Sequence, residues 1–199
     1  MIKSDIVFNV TSLQFDGDSI IHKGTFATPG TEFKEGDTVK LVIDKKKRLL
    51  NARAHSAGHL IDVCFYKLGF TNEGTKGCHF PDTPSVDFAG KLSTEEREKL
   101  KVELPKKINK MIKEATESDT VKVENYSYEE AGKALGEIPS YIKPGSSVRV
   151  VKVNSHDKGC PCGGTHVKHI KEIGTVKIEK IKNSGSKGFR ISYQITDSP

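Results

Sequence analysis

Two pairs of metal-binding residue types constrain this chain more than any other feature. They are His55-Ser-Ala-Gly-His59 and Cys162-Gly-Gly-Thr-His166, and more than 100 residues separate them in a chain of 199. Histidines four apart on a helix lie on one face, one turn above the other. A Cys and a His four apart across two glycines suit a turn that wraps a cation, since glycine permits unusual backbone angles. Together His55, His59, Cys162 and His166 form a nitrogen and sulfur donor set typical of zinc. A zinc finger closes its ligand pairs across about a dozen residues. Here the closure spans a whole αβ segment, which favours a catalytic or ligand-binding cleft over a small structural knuckle. The H-E-x-x-H metalloprotease arrangement is excluded, because Ser56, Ala57 and Gly58 stand between the histidines and none is a glutamate base.

Four cysteines are present: Cys64, Cys78, Cys160 and Cys162. Cys162 has the four-residue spacing to His166, and Cys160 competes with it for the same ion. The Cys-Pro-Cys triplet brings its thiols too close for an easy mutual disulfide. Cys64 reads as an apolar residue of a helix. Cys78 and His79 sit beside a predicted strand, as core, surface or substrate neighbours. The opening MIKSDIVFNV has no signal-peptide pattern, and no apolar run approaches the roughly 20 residues that cross a bilayer. The expected compartment is therefore the cytoplasm, where clustered Cys and His suggest metal. With 35% hydrophobic and 29% charged residues, the chain reads as globular rather than disordered. The net charge of +6 is compatible with a polyanionic partner, and from Val167 to Pro199 seven Lys or Arg face three Asp or Glu.

Short strands are expected at Ile6–Val10, Ser19–Phe26 and Thr38–Ile43, punctuated by Asp16-Gly17-Asp18, Pro29-Gly30 and Glu35-Gly36-Asp37. Past the basic run Lys45–Arg48, the spacing of Ala54, Ala57, Ile61, Cys64, Phe65 and Leu68 predicts a helix. A Gly-rich turn at Glu73–Gly77 and a strand at Ser85–Ala89 follow. Ser93-Thr94-Glu95-Glu96 reads as a capping box for a long helix to about Ala115, with a kink or break at Pro105. A strand at Thr120–Glu124, a helix at Tyr128–Leu135 and a strand at Ser147–Val153 lead to a loop, Asn154–Gly164. Two final strands, Thr175–Ile181 and Gly188–Ile195, are joined by the hairpin signal Asn183-Ser184-Gly185-Ser186. The domain boundary falls near residue 48, dividing a β-rich segment 1–48 from residues 49–199.

These residues carry a resemblance. H-x-x-x-H followed by C-x-x-x-H is similar to the editing domain shared by alanyl- and threonyl-tRNA synthetases and the free-standing AlaX proteins. Cys162-Gly-Gly-Thr-His-Val167 and Glu172-Ile173-Gly174 resemble the alanyl branch, whereas the threonyl branch has Pro where this chain has Thr165. Ala54-His55-Ser56, Asp87-Phe88, Asn109, Tyr128-Glu-Glu-Ala131 and the Ser147–Val153 strand also fit. The resemblance covers roughly residues 36 to 192. It departs at the N-terminus, where Thr28-Pro29-Gly30-Thr31 stands near the position of a Gly-Gly-Gly-Gln type motif.

The resemblance implies an α+β fold: a two-layer α/β editing domain with the metal in a cleft between strands and helix, preceded by a small β-barrel-like N-terminal segment. It implies zinc-dependent hydrolysis, in trans, of seryl- or glycyl-tRNA(Ala), with tRNA as partner. Gly163 and Gly164 are candidate oxyanion donors, unless they serve turn geometry alone. Asp87 is a candidate to hold the substrate ammonium or a ligand histidine, Thr165 to read a serine hydroxyl, and Lys177, Lys180 and Lys182 to contact phosphates. Tyr126 and Tyr128 are candidate stacking partners of the terminal adenine or packing residues. The rivals are a tRNA-binding module with a structural zinc, and an editing fragment of a full-length alanyl-tRNA synthetase.

Overall fold

The computed structural model describes residues 1–17, 19–155, 157–185 and 188–196. Asp18 of the first turn signal, and Ser186 of the last, lie outside them. The chain divides into two units, Met1–Lys45 and Lys46–Pro199. Its helices and strands together make an α+β protein, and no helix among the described residues is long and apolar enough to cross a membrane.

The first unit is a three-stranded antiparallel sheet of β1 (Ile2–Lys3), β2 (Ile6–Phe15) and β3 (Ile20–Phe26). Phe8 meets Phe26 edge-on at 4.8 Å, and Phe26 meets Phe33 at 5.2 Å, which gives the unit its apolar centre. The expected strand Thr38–Ile43 does not form. Lys40 makes one isolated bridge to Ile2, and Leu41, Val42 and Ile43 are exposed. A strand exists only where a neighbour offers a ladder, and two-residue β1 offers almost none. Thr28–Thr31 is a turn, closed by the Thr31 N–H on the Thr28 carbonyl, with Gly30 at φ +78°.

The second unit is built round α1 (Lys45–Lys67). From Ala52 to Phe65 it is buried on nearly every side, by small residues and aliphatics alike. A helix covered all round belongs at the centre of a domain. Beside it runs an antiparallel sheet in the order β4 (Gly74–Cys78), β5 (Ser85–Ala89), β10 (Gly188–Thr196), β9 (Thr175–Ser184). Phe65 of α1 packs on Phe88 at 4.3 Å, and Phe88 stacks on Phe189 at 5.2 Å, so helix and sheet share one aromatic seam. β4 occupies the stretch expected as a turn. Its glycines carry little strand preference, but pairing with β5 overrides that.

The capping box at Ser93 is formed, and α2 (Thr94–Glu114) runs unbroken through Pro105. Its buried stripe of Leu100, Leu104, Ile108 and Ile112 offsets the one backbone bond that proline removes. Asn109 zips α2 to β9, donating to the Val176 carbonyl at 2.8 Å and accepting from its N–H at 2.9 Å. The remaining sheet joins β6 (Lys122–Tyr126), β7 (Val148–Lys152) and β8 (Cys160–Pro161). β6 lies two residues later than expected, because Thr120 and Val121 turn instead to His169 and Lys168. Short β8, inside the expected loop, anchors the Cys-Pro-Cys segment to β7. Helix α3 (Tyr128–Leu135) packs over this sheet through Ala131.

Candidate metal centre

Helix α1 supplies His55 and His59 from one face. The turn after β8 supplies Cys162 and His166. Their ligating atoms all lie within 4.8 Å of one another, so these four residues could hold one metal ion. Cys162 Sγ is 3.4 Å from His55 Nε2 and 3.4 Å from His166 Nε2. A tetrahedral zinc with ordinary Zn–S and Zn–N bonds has an S···N edge of about 3.5 Å. The donor set therefore fits zinc in both chemistry and spacing.

Three of the four donors are steadied from behind. The His55 ring hydrogen-bonds the Thr165 backbone, leaving Nε2 to the centre. Ser56 Oγ lies 3.1 Å from His166 Nδ1 and accepts the Val167 N–H at 3.1 Å. The Gly164 N–H points at Cys162 Sγ, 3.4 Å away, and the Cys162 N–H donates to the Arg149 carbonyl at 3.0 Å. Such outer partners fix ring orientation and tautomer at metal sites. Cys160 stands apart from the cluster, with Sγ 3.4 Å from His59 Nδ1, so it touches one ligand without joining the four.

The glycines of the turn work differently from the expected way. Neither Gly163 nor Gly164 has a positive φ. Gly164 is there for close approach, because a Cβ on it would sit 2.0 Å from His55 Cε1. Its N–H is spent on sulfur, which leaves Gly163 as the freer of the two expected oxyanion donors.

Burial keeps the site uncharged. Desolvation lowers the pKa of His55, takes that of His59 well below the usual imidazole value, and takes that of His166 to about 3, with the neighbouring imidazoles adding to the effect on the last two. Burial also raises the Cys162 thiol. Neutral imidazoles with free lone pairs are the form a metal needs, and a bound cation would drive off the thiol proton.

A cleft of about 1080 Å³ opens beside the centre, lined by Arg48, His55, His79, Asp87, Thr165 and Arg190 among others. Asp87 spends both oxygens on Arg190, at 2.7 and 2.8 Å, and among the described residues no hydrogen bond joins it to His55, His59 or His166. Thr165 lies at the cleft with the ligand turn. Tyr126 and Tyr128 pack with Ala131 and Val148, and the Tyr126 hydroxyl bonds Glu124. Cys64 is buried against Met111 Sδ, with its pKa pushed up to about 12. Lys177, Lys180 and Lys182 are all exposed on β9. Residues 177 and 180 would face opposite ways on a regular strand. A bulge shifts the register between Ser192 and Tyr193 of the partner strand, leaving Glu179 as the extra residue, and this turns all three outward.

Two further residues stand out here, His79, read from the sequence as a core, surface or substrate neighbour, and Tyr193, for which no role was read. His79 stacks on His55 at 4.4 Å between ring centroids, and burial lowers its pKa to about 4. Its Nδ1 is 3.0 Å from the hydroxyl of buried Tyr193, which donates to the Ala54 carbonyl at 2.8 Å.

Comparison with known proteins bears on the same residues. Residues 148–192, which include Cys162 and His166, match the family model of the threonyl and alanyl tRNA synthetase second additional domain. An alanyl-tRNA editing protein AlaX-M from Methanosarcina barkeri is 32% identical over 197 residues, which are 96% of this chain and 76% of that protein. Its counterpart from Methanosarcina mazei is 31% identical over 191 residues, 92% of this chain and 72% of that protein. An alanine–tRNA ligase from Pseudothermotoga lettingae is 36% identical over 160 residues, and the chain spans only 18% of that ligase.

Proposed function

The chain belongs to the AlaX family of alanyl-tRNA editing proteins, and from that premise we propose that it hydrolyses, in trans and in the cytoplasm, the ester of mischarged tRNA(Ala) carrying serine or glycine. The observation that carries this reading is the four-residue donor cluster, whose His55 lines, with Thr165, a cleft of about 1080 Å³, large enough for an aminoacylated terminal nucleotide. The cofactor is one zinc ion held by His55, His59, Cys162 and His166, which with its shell completed by these donors would supply positive charge beside the aminoacyl group. The chain's own residues do the rest. The Gly163 N–H faces the developing oxyanion. The Asp87–Arg190 pair presents a guanidinium to the terminal phosphate and keeps the carboxylate near the substrate ammonium. In the same proposal the β-rich residues before α1 are the small barrel-like domain and the rest is the two-layer editing domain, with the division at Lys45 rather than at the expected residue 48.

Single-turnover deacylation of seryl-, glycyl- and alanyl-tRNA(Ala), with zinc measured in the same samples, tests this reading. Fast cleavage of the seryl ester and near-inertness of the alanyl ester are expected. Cleavage of none of the three would return the chain to the role of a tRNA-binding module.

Selectivity rests on a hydroxyl. Alanine lacks the serine hydroxyl, and a site built to hydrogen-bond a hydroxyl rejects the analogue without it far better than an apolar pocket rejects an added one. Thr165, in the cleft and next to the ligand His166, is the proposed reader. Thr165→Val is expected to lower the seryl-to-alanyl rate ratio by about tenfold or more at matched zinc occupancy. An unchanged ratio would move serine recognition elsewhere, to the turn Thr28–Thr31 first.

The tRNA surface is assigned to the outward lysines of β9. Lys182 lies close enough to Lys180 to lower its pKa, and two such crowded ammonium groups welcome a phosphate. Replacing Lys177, Lys180 and Lys182 with Ala is expected to weaken binding. It is also expected to reduce the slope of log K against log salt by about 2 to 3. A slope equal to that of wild type would make this strand an ordinary solvated face.

A further inference from the structure

We propose that His79 is a catalytic residue of this cleft, whose Nε2 accepts a hydrogen bond from the water that attacks the aminoacyl ester. The inference rests on the deacylase reading above. Four protein donors complete a tetrahedral shell, so orienting an attacking water falls to groups around the metal rather than to an open coordination position. The protein has prepared one such group with care. Tyr193 donates its only hydroxyl proton to the Ala54 carbonyl at 2.8 Å, so its oxygen can only accept from His79, 3.0 Å away. That places the His79 proton on Nδ1 and leaves Nε2 as a bare lone pair. Among the described residues the sole buried side-chain nitrogen or oxygen without a partner is Asp62 Oδ1, so Nε2, for which no protein partner is seen, is reached by solvent from the cleft it lines.

Two glycines make the seat. A Cβ on Gly58 of α1 would lie 2.4 Å from His79 Cε1, and one on Gly77 of β4 would lie 2.1 Å from Nε2. A side chain at either position would expel the ring. Stacking on His55 then sets the imidazole against the metal centre. Competing acceptors are less suited. Both Asp87 oxygens hold Arg190, and the Thr165 hydroxyl can rotate away. In the step itself the water oxygen bonds to the carbonyl carbon and the bond to the ribose oxygen breaks. One water proton ends on that ribose oxygen. The other leaves with the released amino acid, which ionises to solvent. Throughout, His79 Nε2 holds the water in line.

The test uses the full chain, loaded with zinc to equal content, as wild type, His79→Ala and Tyr193→Phe. His79→Ala is expected to lower kcat on seryl-tRNA(Ala) by about a hundredfold, the scale of a misplaced reactant, with KM within about twofold. Free imidazole should restore part of the rate by entering the space the side chain vacates. Tyr193→Phe, which keeps the ring, should lower kcat by a smaller factor. Nitrogen NMR of the zinc-free protein should show Nε2 bare in wild type and a mixture of tautomers in Tyr193→Phe. An active wild type with an undiminished His79→Ala kcat, or a wild-type proton on Nε2, overturns the role of His79 alone. A wild type inactive on every charged tRNA overturns the deacylase reading and this role with it.

Discussion

Cys162→Ala is expected to strip the protein of zinc and to lower deacylation to background. The thiol sits 3.4 Å from two of the other three donors, so its loss opens the middle of the cluster rather than its rim. Removing a group that merely steadies a ligand costs roughly 10- to 100-fold in affinity, and removing a ligand should exceed that range. Ser56→Ala provides the inner control. It removes the hydroxyl beside His166 Nδ1 and is expected to fall inside the range. Zinc content after gel filtration, with a competing chelator to set the free metal, is the measurement. Stoichiometric zinc in two of His55→Ala, His59→Ala and Cys162→Ala would end the ligand assignment. Cys160→Ser should keep the ion. Were it to behave like Cys162→Ala, Cys160 would be the ligating thiol.

Asp62 should make stability fall as pH rises toward neutrality, opposing the rise contributed by His55, His59, His79 and His166, which burial keeps neutral in the fold below their ordinary value of 6.5. Asp62 lies on α1 below His59 and lines a second cavity of about 370 Å³ with Glu73, Glu137, Asp157 and Cys160. Its Oδ1 is buried without a partner. Burial first, and the Asp157 charge second, raise its pKa to about 7. The folded chain therefore binds a proton there that the unfolded chain has released, from the ordinary carboxylate value of 3.8 up to about 7. Native protons in excess at Asp62 mean that its contribution to the unfolding free energy decreases with pH in this window, by up to about 1.4 kcal/mol per unit. Asp62→Asn cannot ionise and should remove this opposing contribution, leaving a steeper rise of stability with pH. Its advantage over wild type should thus grow from pH 5 to pH 7 and level off above. Urea midpoints at pH 5, 6, 7 and 8 read this directly. Parallel curves for the two proteins would show that Asp62 ionises freely in the fold.

What the sequence disclosed follows the reach of each signal. The four-residue spacings of His55 with His59 and of Cys162 with His166 are local, so both pairs could be read and the ligand set assembled from them. The capping box at Ser93 is local too, and it forms. Strand β4 was hidden because Gly74 and Gly77 look like a turn, and only the ladder to β5 makes them a strand. The opposite error at Thr38–Ile43 has the same origin, a good strand composition with almost no partner. His79 could be read as a possible substrate neighbour, but its pairing with Tyr193 was out of reach, since 114 residues separate them and neither spacing nor composition links them. The one available hint was Gly58 inside a helix, where glycine is costly and asks for a reason. That reason is the ring of His79.

The bulge in β9 has a consequence for how such a chain can change over time. Strand β10 sends Arg190 to Asp87 on the outer face and Tyr193 to His79 on the inner one. Lys182, Lys180 and Lys177 of its partner share the outer face with Arg190, Ser192 and Gln194, and one surplus residue, Glu179, keeps the two stretches in phase. Deleting that residue would invert every side chain on one side of it. Either Lys177 would turn in beneath the sheet, or Lys180 and Lys182 would turn in and Ile181 out. No single replacement elsewhere could undo such an inversion. Drift within this pair of strands is therefore confined to exchanging letters at fixed length, and a frame-preserving loss of one codon there would be more damaging than most substitutions at the metal's periphery.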